Sequence, residues 1–140
     1  ITDRKKDIIV NSGGDNVAPQ RVEGFLTLQP EIGQAMVYGD RRPHLVALLV
    51  PREEFLRDWN ARHGARLTVG DAGSDPAFVA HLETVVKRLN ATLAPAERVR
   101  RFALAEQPFT VQNGLLTPSM KIRRHLITAA YAERLAALYA

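Results

Sequence analysis

The sequence predicts an α+β domain: a small β-hairpin at the start, then a mainly antiparallel three-stranded sheet flanked by helices. Three observations carry that expectation. Two apolar, partly β-branched runs, 32–38 and 45–50, lie on either side of Gly39-Asp40-Arg41-Arg42-Pro43, the pattern of a hairpin whose loop is longer than the minimal turn. A third run, 99–104, alternates apolar and basic residues in part and reads as another strand. Between them Phe78, Leu82, Val85, Val86 and Leu89 recur at helical spacing, the clearest amphipathic helix in the chain.

The remaining elements follow in order. Residues 7–11 contain three consecutive branched apolar side chains and read as a short strand. Ser12-Gly13-Gly14-Asp15-Asn16 is a turn, because glycine and Asx residues reach positive φ cheaply. Pro19 opens a helix, where its missing N–H costs little, and Val22, Phe25, Leu26 and Leu28 give that helix an apolar face. Gln29-Pro30 stops it. After Pro51, residues 53–62 show helical spacing through Phe55 and Trp59, with Gly64 as the stop. Trp59 lies four residues after Phe55 on one helix face and is expected in the core. The stretch 64–76 reads as a surface loop, and Pro95 breaks the long amphipathic helix. Ile127, Tyr131, Leu135 and Leu138 mark a terminal helix.

Composition bounds the function. At 140 residues and 46% hydrophobic, the chain can bury a core as one domain. The net charge of +4 favours anionic partners, and it is uneven: residues 98–125 carry six Lys or Arg against the single acid Glu106. Without cysteine there is no disulfide framework, thiolate metal site or cysteine nucleophile, which fits a reducing cytosol. Residues 1–10 are charged and lack the apolar core of a signal peptide, and no apolar run approaches the roughly 20 residues that span a bilayer. The first residue is Ile and the chain opens directly on a motif, so it is expected to be cut from a longer protein. His44, His63, His81 and His125 are scattered without metal-ligand spacing. Ser12, Ser74 and Ser119 lack convincing triad partners.

Chemistry concentrates at the two ends. Near the start stand Asp3-Arg4-Lys5-Lys6-Asp7, then the Ser12-Gly13-Gly14 turn, where backbone can approach a ligand and exposed N–H groups could receive phosphate or carbonyl oxygens. Near the close, Leu116-Thr117-Pro118-Ser119-Met120-Lys121-Ile122-Arg123-Arg124 has no helix signal in its first half. It reads as a loop stiffened by Pro118 that presents Lys121 as a point charge. Taken singly, each run also reads as an ordinary solvated surface feature.

Taken together and in this order, the two runs resemble the C-terminal domain of the adenylate-forming acyl-CoA synthetases. The Asp-Arg-Lys-Lys-Asp start and the Leu-Thr-Pro-Ser-Met-Lys ending are most similar to the long-chain fatty-acid branch. The resemblance implies a two-step ligase. A fatty-acid carboxylate attacks the α-phosphate of ATP, giving acyl-adenylate and pyrophosphate; the thiol of CoA then displaces AMP. Residues 1–140 would be a single mobile C-terminal domain that starts at the interdomain hinge, its N-terminal adenylation domain lying outside the chain. By the same resemblance Lys121 matches the adenylation lysine and Arg4 the arginine that contacts the nucleotide ribose. Lys6 matches the hinge, where many relatives have Asp. Gly13 and Gly14 match the turn lining the CoA pantetheine passage, with Asp15 and Asn16 on the same loop. Met120 stands where many relatives have Gly. ATP and CoA are implied as substrates, with Mg2+ accompanying ATP and held mainly outside this domain. The implied partner is the chain's own adenylation domain, and the implied setting is cytoplasmic, with peripheral contact at the inner membrane face left open. Two other readings stand beside this one. The first is a fatty acyl-AMP ligase that serves a carrier protein, against which the intact Gly13-Gly14 turn weighs. The second is a basic RNA or polyanion module built on Arg98, Arg100, Arg101, Lys121, Arg123 and Arg124, whose cluster lacks interleaved aromatics.

Overall fold

A computed structural model describes residues 8–139. A two-residue hairpin opens it, with β1 (Ile9–Val10) antiparallel to β2 (Asn16–Val17). Helix α1 (Pro19–Thr27) follows with Pro19 at its first position, and it turns Val22 and Leu26 inward. Leu28 falls beyond the helix end and is exposed, so the apolar face is one residue shorter than the sequence suggested. Strands β3 (Ile32–Tyr38) and β4 (Leu45–Pro51) form the expected antiparallel hairpin, Tyr38 opposite Val46 and Ala35 opposite Leu49. Gly39, at the start of the connecting loop, has no room for a side chain: a Cβ there would lie 2.5 Å from Leu45 Cδ2 and 3.1 Å from the His44 carbonyl oxygen.

From β4 the chain runs through α2 (Glu53–His63), the single turn α3 (Val69–Ala72) and α4 (Pro76–Asn90). A short 3-10 turn at Pro95–Glu97 leads into β5 (Val99–Leu104). The sheet order is β3-β4-β5, and β5 lies parallel to β4. A crossover of helices returns a strand in the direction it left, so the small sheet is mixed in direction while keeping the expected three strands. Gly64 stops α2 at φ 62°, as expected. The stretch 64–76 is not all loop, because α3 sits inside it. The Thr68 hydroxyl accepts from the Asp71 amide and donates to the Asp71 carboxylate, and buried Ala72 anchors the turn. Asp75 caps α4 by accepting from the Phe78 amide at 3.0 Å, with Pro76 next in line. The terminal helix is divided at Tyr131 into α5 (Arg124–Ala130) and α6 (Ala132–Ala137).

Strand β4 is central and buried along its whole length, which is why its sequence reads as a continuous apolar run rather than an alternation. Its two faces serve two cores. Leu45, Ala47 and Leu49 face α1, α2 and α4 with Ala35 and Val37 of β3. Val46, Leu48 and Val50 face Met36, Phe109, Leu116, Ile127 and Leu135. On the first side α4 buries Phe78, Leu82, Val85 and Val86, each contributing about 1.5–3 kcal/mol before conformational entropy is charged against it. Trp59 packs there too, edge-on to Phe78 with centroids 5.3 Å apart. The second face is covered by the segment after β5, stitched on by the Ala105 amide to the Leu49 carbonyl at 2.9 Å and by a paired contact of Gln34 with the Phe109 backbone. Among the described residues no helix is long and apolar enough to cross a membrane.

Candidate functional site

The lysine loop is a tight hairpin. Leu116 and Ile122 form an antiparallel bridge, and both contribute to the second core. Inside that bridge the Thr117 amide donates to the Lys121 carbonyl at 2.8 Å, and the Met120 amide donates back to the Thr117 carbonyl at 2.8 Å. The Thr117 hydroxyl accepts from the Lys121 amide at 3.1 Å and pairs with the Ser119 hydroxyl at 3.0 Å. Pro118 occupies the second position of the turn, where its fixed φ is suited. Met120 closes the turn in the left-handed conformation, φ 68°. A three-residue hairpin loop of this kind calls for such a residue at that point, and glycine fills it at least cost. A methionine there carries on the order of 1 kcal/mol of backbone strain. Its side chain is exposed, as is Lys121, and no described residue pairs with the Lys121 ammonium. The cation is therefore held by a stiff backbone and left open to an external anion.

Three residues downstream the chain is clamped. Arg124, first residue of α5, grips Glu23 of α1 with both terminal guanidinium nitrogens: Nη2 donates to Oε1 at 3.0 Å and Nη1 to Oε2. Both partners take in the backbone of Val37 as well. Glu23 Oε2 accepts from its amide at 2.7 Å, and Arg124 Nη1 donates to its carbonyl at 3.2 Å. Glu23 is buried, 8% exposed, on the same side of α1 as Val22 and Leu26. Sequence reasoning passed over this pair. Two signals pointed to it: a carboxylate beside the apolar positions of α1, and an arginine at a helix start, the end that disfavours cations.

The glycine turn has a different geometry from the one expected. Its N–H groups are turned inward. Asn11 Oδ1 accepts from the Gly13 amide at 3.0 Å and the Asp15 amide at 2.9 Å, while the Asn11 carbonyl accepts from Gly14 at 3.0 Å. These three amides are already engaged by the Asn11 side chain and carbonyl, so they do not stand open as an anion cradle. What it offers is a smooth, exposed surface without side chains. Gly14 needs to be glycine on torsional grounds, at φ 87°. Asp15 is exposed, as is Asn16 in β2.

Behind this turn lies the β3–β4 loop. The Ser12 amide donates to the Arg42 carbonyl at 2.9 Å, and the Arg41 amide donates to the Val10 carbonyl at 2.8 Å. The C-terminal end reaches the same loop. The Tyr139 hydroxyl donates to the His44 carbonyl at 2.7 Å, its ring stacks on His44, and the Arg42 guanidinium sits 4.7 Å above the ring. Burial raises the Tyr139 pKa to about 12, against a lowering pull from Arg42 and a smaller raising one from Tyr38.

Of the residues singled out in the sequence, Gly13, Gly14 and Lys121 are placed on exposed turns. No hydrogen bond joins the glycine turn to the lysine hairpin among the described residues. Arg4 and Lys6 lie outside the described residues. The basic cluster is not one surface. Arg124 is committed to Glu23, and Arg98 donates to the Asn90 and Leu93 carbonyls at the end of α4. Among the described residues no group of three or more acidic, His or Cys side chains could hold a metal ion.

With this geometry in view, known proteins give a consistent likeness. Residues 6–140 match the family described as AMP-binding enzyme C-terminal domain. A long-chain-fatty-acid–CoA ligase of Mycobacterium tuberculosis is 39% identical over 141 residues, covering 99% of this chain and 24% of the relative. The peroxisomal long chain acyl-CoA synthetase 7 of Arabidopsis thaliana is 33% identical over 147 residues, covering 100% of this chain and 21% of the relative. Among solved structures, the adenylation domain of a carboxylate reductase from Mycobacterium chelonae superposes with TM-score 0.73 at 34% identity, covering 97% of this chain and 20% of that one. The A-PCP didomain of a carboxylic acid reductase from Segniliparus rugosus, in complex with AMP, gives 0.76 at 30%, covering 96% and 17%. The chain spans about a quarter or less of the length of the curated relatives it matches.

Proposed function

The chain belongs to the AMP-binding enzyme C-terminal domains, and from that premise we propose that it is the mobile C-terminal domain of an ATP-dependent long-chain fatty-acid–CoA ligase. The observation that carries this reading is a likeness to long-chain ligases running along practically the whole chain. The finer roles draw support from the site. Lys121 presents an exposed ammonium, unpaired among the described residues, from a rigid hairpin, suited to sit between an attacking carboxylate and the α-phosphate of ATP. There it would offset the charge that gathers on the phosphoryl oxygens as the carboxylate–phosphorus bond forms and pyrophosphate leaves. Gly13 and Gly14 would line the passage of the CoA arm by van der Waals contact, since their amides are already bonded to Asn11. Arg4 would meet the ribose and Lys6 would serve as the pivot between the two steps. The Mg2+ that accompanies ATP would be held by residues outside the described ones.

The test uses the full-length enzyme and separates the half-reactions. Lys121→Ala should slow acyl-adenylate formation by about 10²–10³, the cost of losing one group aimed at transition-state charge. Thioester formation from supplied acyl-adenylate and CoA should change little. Equal losses in both steps would remove Lys121 from its role. A second reading, transfer to a carrier protein by a fatty acyl-AMP ligase, draws support from the likeness to reductase domains, one of them an A-PCP didomain. Turnover with free CoA decides between the two acceptors.

A further inference from the structure

We propose that the Glu23–Arg124 pair is a positioning device for Lys121, fixing the direction in which the hairpin presents its ammonium during adenylation. The inference rests on the reading of Lys121 as the adenylation lysine and adds two residues to it. Three observations support it. First, the contact is two-pronged and shielded: both carboxylate oxygens meet the guanidinium, with side chains only 10% and 17% exposed. A fork-on-fork contact fixes angle as well as distance, which a lysine in place of the arginine would not do. Second, the pair fastens onto Val37 through both its amide and its carbonyl. Val37 lies on β3, an outer strand of the sheet, so the hairpin's root is referenced to the sheet itself. Third, a buried ion pair is seldom the most stabilising filling for its volume, and an arginine at a helix start opposes the helix dipole. The pair does give the buried Val37 amide and carbonyl their partners, a folding role that the variants below separate from positioning.

The consequence is geometric. Arg124 follows Lys121 by three residues, and the backbone between them is already pinned by the Arg123 amide to the Leu115 carbonyl at 2.8 Å. Glu23 stands in the helix that β2 and the glycine turn lead into. The clamp thus ties the lysine arm and the glycine-turn arm to one strand, and a rotating domain would carry both as one rigid piece. A displacement of about 1 Å at a reacting group can cost on the order of 10²-fold, so a loosened clamp should be visible in rate.

The experiment uses the full-length ligase with fatty acid, ATP and CoA. Three variants are compared with the parent: Glu23→Gln, Arg124→Lys, and the apolar double substitution Glu23→Leu with Arg124→Met. Each is measured for thermal stability and for both half-reactions, with Lys121→Ala alongside. The expected result is a fall of about 10–100-fold in the adenylation kcat at saturating ATP and fatty acid, with thioester formation from supplied acyl-adenylate within about threefold. The double variant should stay slow in adenylation even where its melting temperature equals that of the parent. If adenylation instead tracks stability, so that the double variant recovers both, the pair is only structural and the proposal is overturned. The same follows if Arg124→Lys keeps adenylation within about threefold. Lys121→Ala separates the two levels of the argument. If it cripples adenylation while the clamp variants do not, the clamp alone fails; if it spares adenylation, the role of Lys121 fails and the clamp falls with it.

Discussion

Adding one methyl group at two glycines should move stability in opposite directions. At Gly24, in the exposed middle of α1, a Cβ would meet nothing within 4 Å, and φ is ordinary. Gly24→Ala therefore gains helix propensity and narrows the unfolded ensemble, worth about 0.5–1 kcal/mol. At Gly39 φ is also unremarkable, but the Cβ would lie 2.5 Å from Leu45 Cδ2, 3.1 Å from the His44 oxygen and 3.3 Å from Leu45 Cα. Leu45 is buried in the first core and cannot swing away freely, and the other two atoms are backbone. Overpacking of this kind costs about 1–3 kcal/mol. The unfolded-state gain offsets about 0.4–1 of that, leaving roughly 1–2 kcal/mol of net destabilisation. With about 3–4 °C per kcal/mol for a chain of this size, Gly24→Ala should melt a few degrees higher and Gly39→Ala lower by up to about 8 °C. Because the unfolded-state term is shared, the gap between the two variants reports the native-state clash at Gly39 plus the helix propensity gained at Gly24. Thermal and urea unfolding followed by circular dichroism measure it. A Gly39→Ala protein as stable as the parent, or a Gly24→Ala protein that melts lower, would refute the packing argument for the loop that backs the glycine turn.

Two further outcomes follow from the same region. The fold holds the Tyr139 proton more tightly than an unfolded chain does, with a pKa of about 12 against the ordinary 10.0, so its contribution to stability is whole below pH 10 and drains away as pH rises through 12. Phenolate absorbance, taken as the difference between the parent and Tyr139→Phe, should inflect late, and Arg42→Ala should delay it further because Arg42 pulls the value down; an inflection at the ordinary pH would show the ring to be solvated. Asn11→Ala should cost about 1 kcal/mol, since one side-chain oxygen holds two turn amides, and it should speed hydrogen exchange at Gly13 and Asp15; unchanged exchange would mean that the backbone holds the turn without that side chain.

The parts of this fold written in periodic patterns were legible. Alternating and continuous apolar runs placed β3, β4 and β5, and 3.6-residue spacing placed α4, because each pattern reports directly on a buried face. The direction of β5 was not legible, since side-chain patterning is the same for parallel and antiparallel neighbours and only the crossover sets it. The α3 turn was hidden inside a glycine-rich stretch, although Thr68 and Asp71 form a capping pattern that would have revealed it. At the site, Lys121 and the glycine turn were readable as local motifs. The inward turn of the Gly13 and Gly14 amides was not, because Asn11 decides it from just outside the motif. Glu23 and Arg124 are 101 residues apart, and no local rule pairs side chains at that separation.

The two-sided burial of β4 divides the molecule into unequal storeys. The larger stack of apolar side chains lies beneath the sheet with α1, α2 and α4; the smaller one carries the lysine hairpin and α5 on its outer surface. Such a partition is a built-in fault line. Heat, denaturant or a methyl group lost at Leu116 or Ile127 should loosen the upper storey first. The Lys121 ammonium would then lose its footing while the lower storey still reads as folded by most spectroscopic measures.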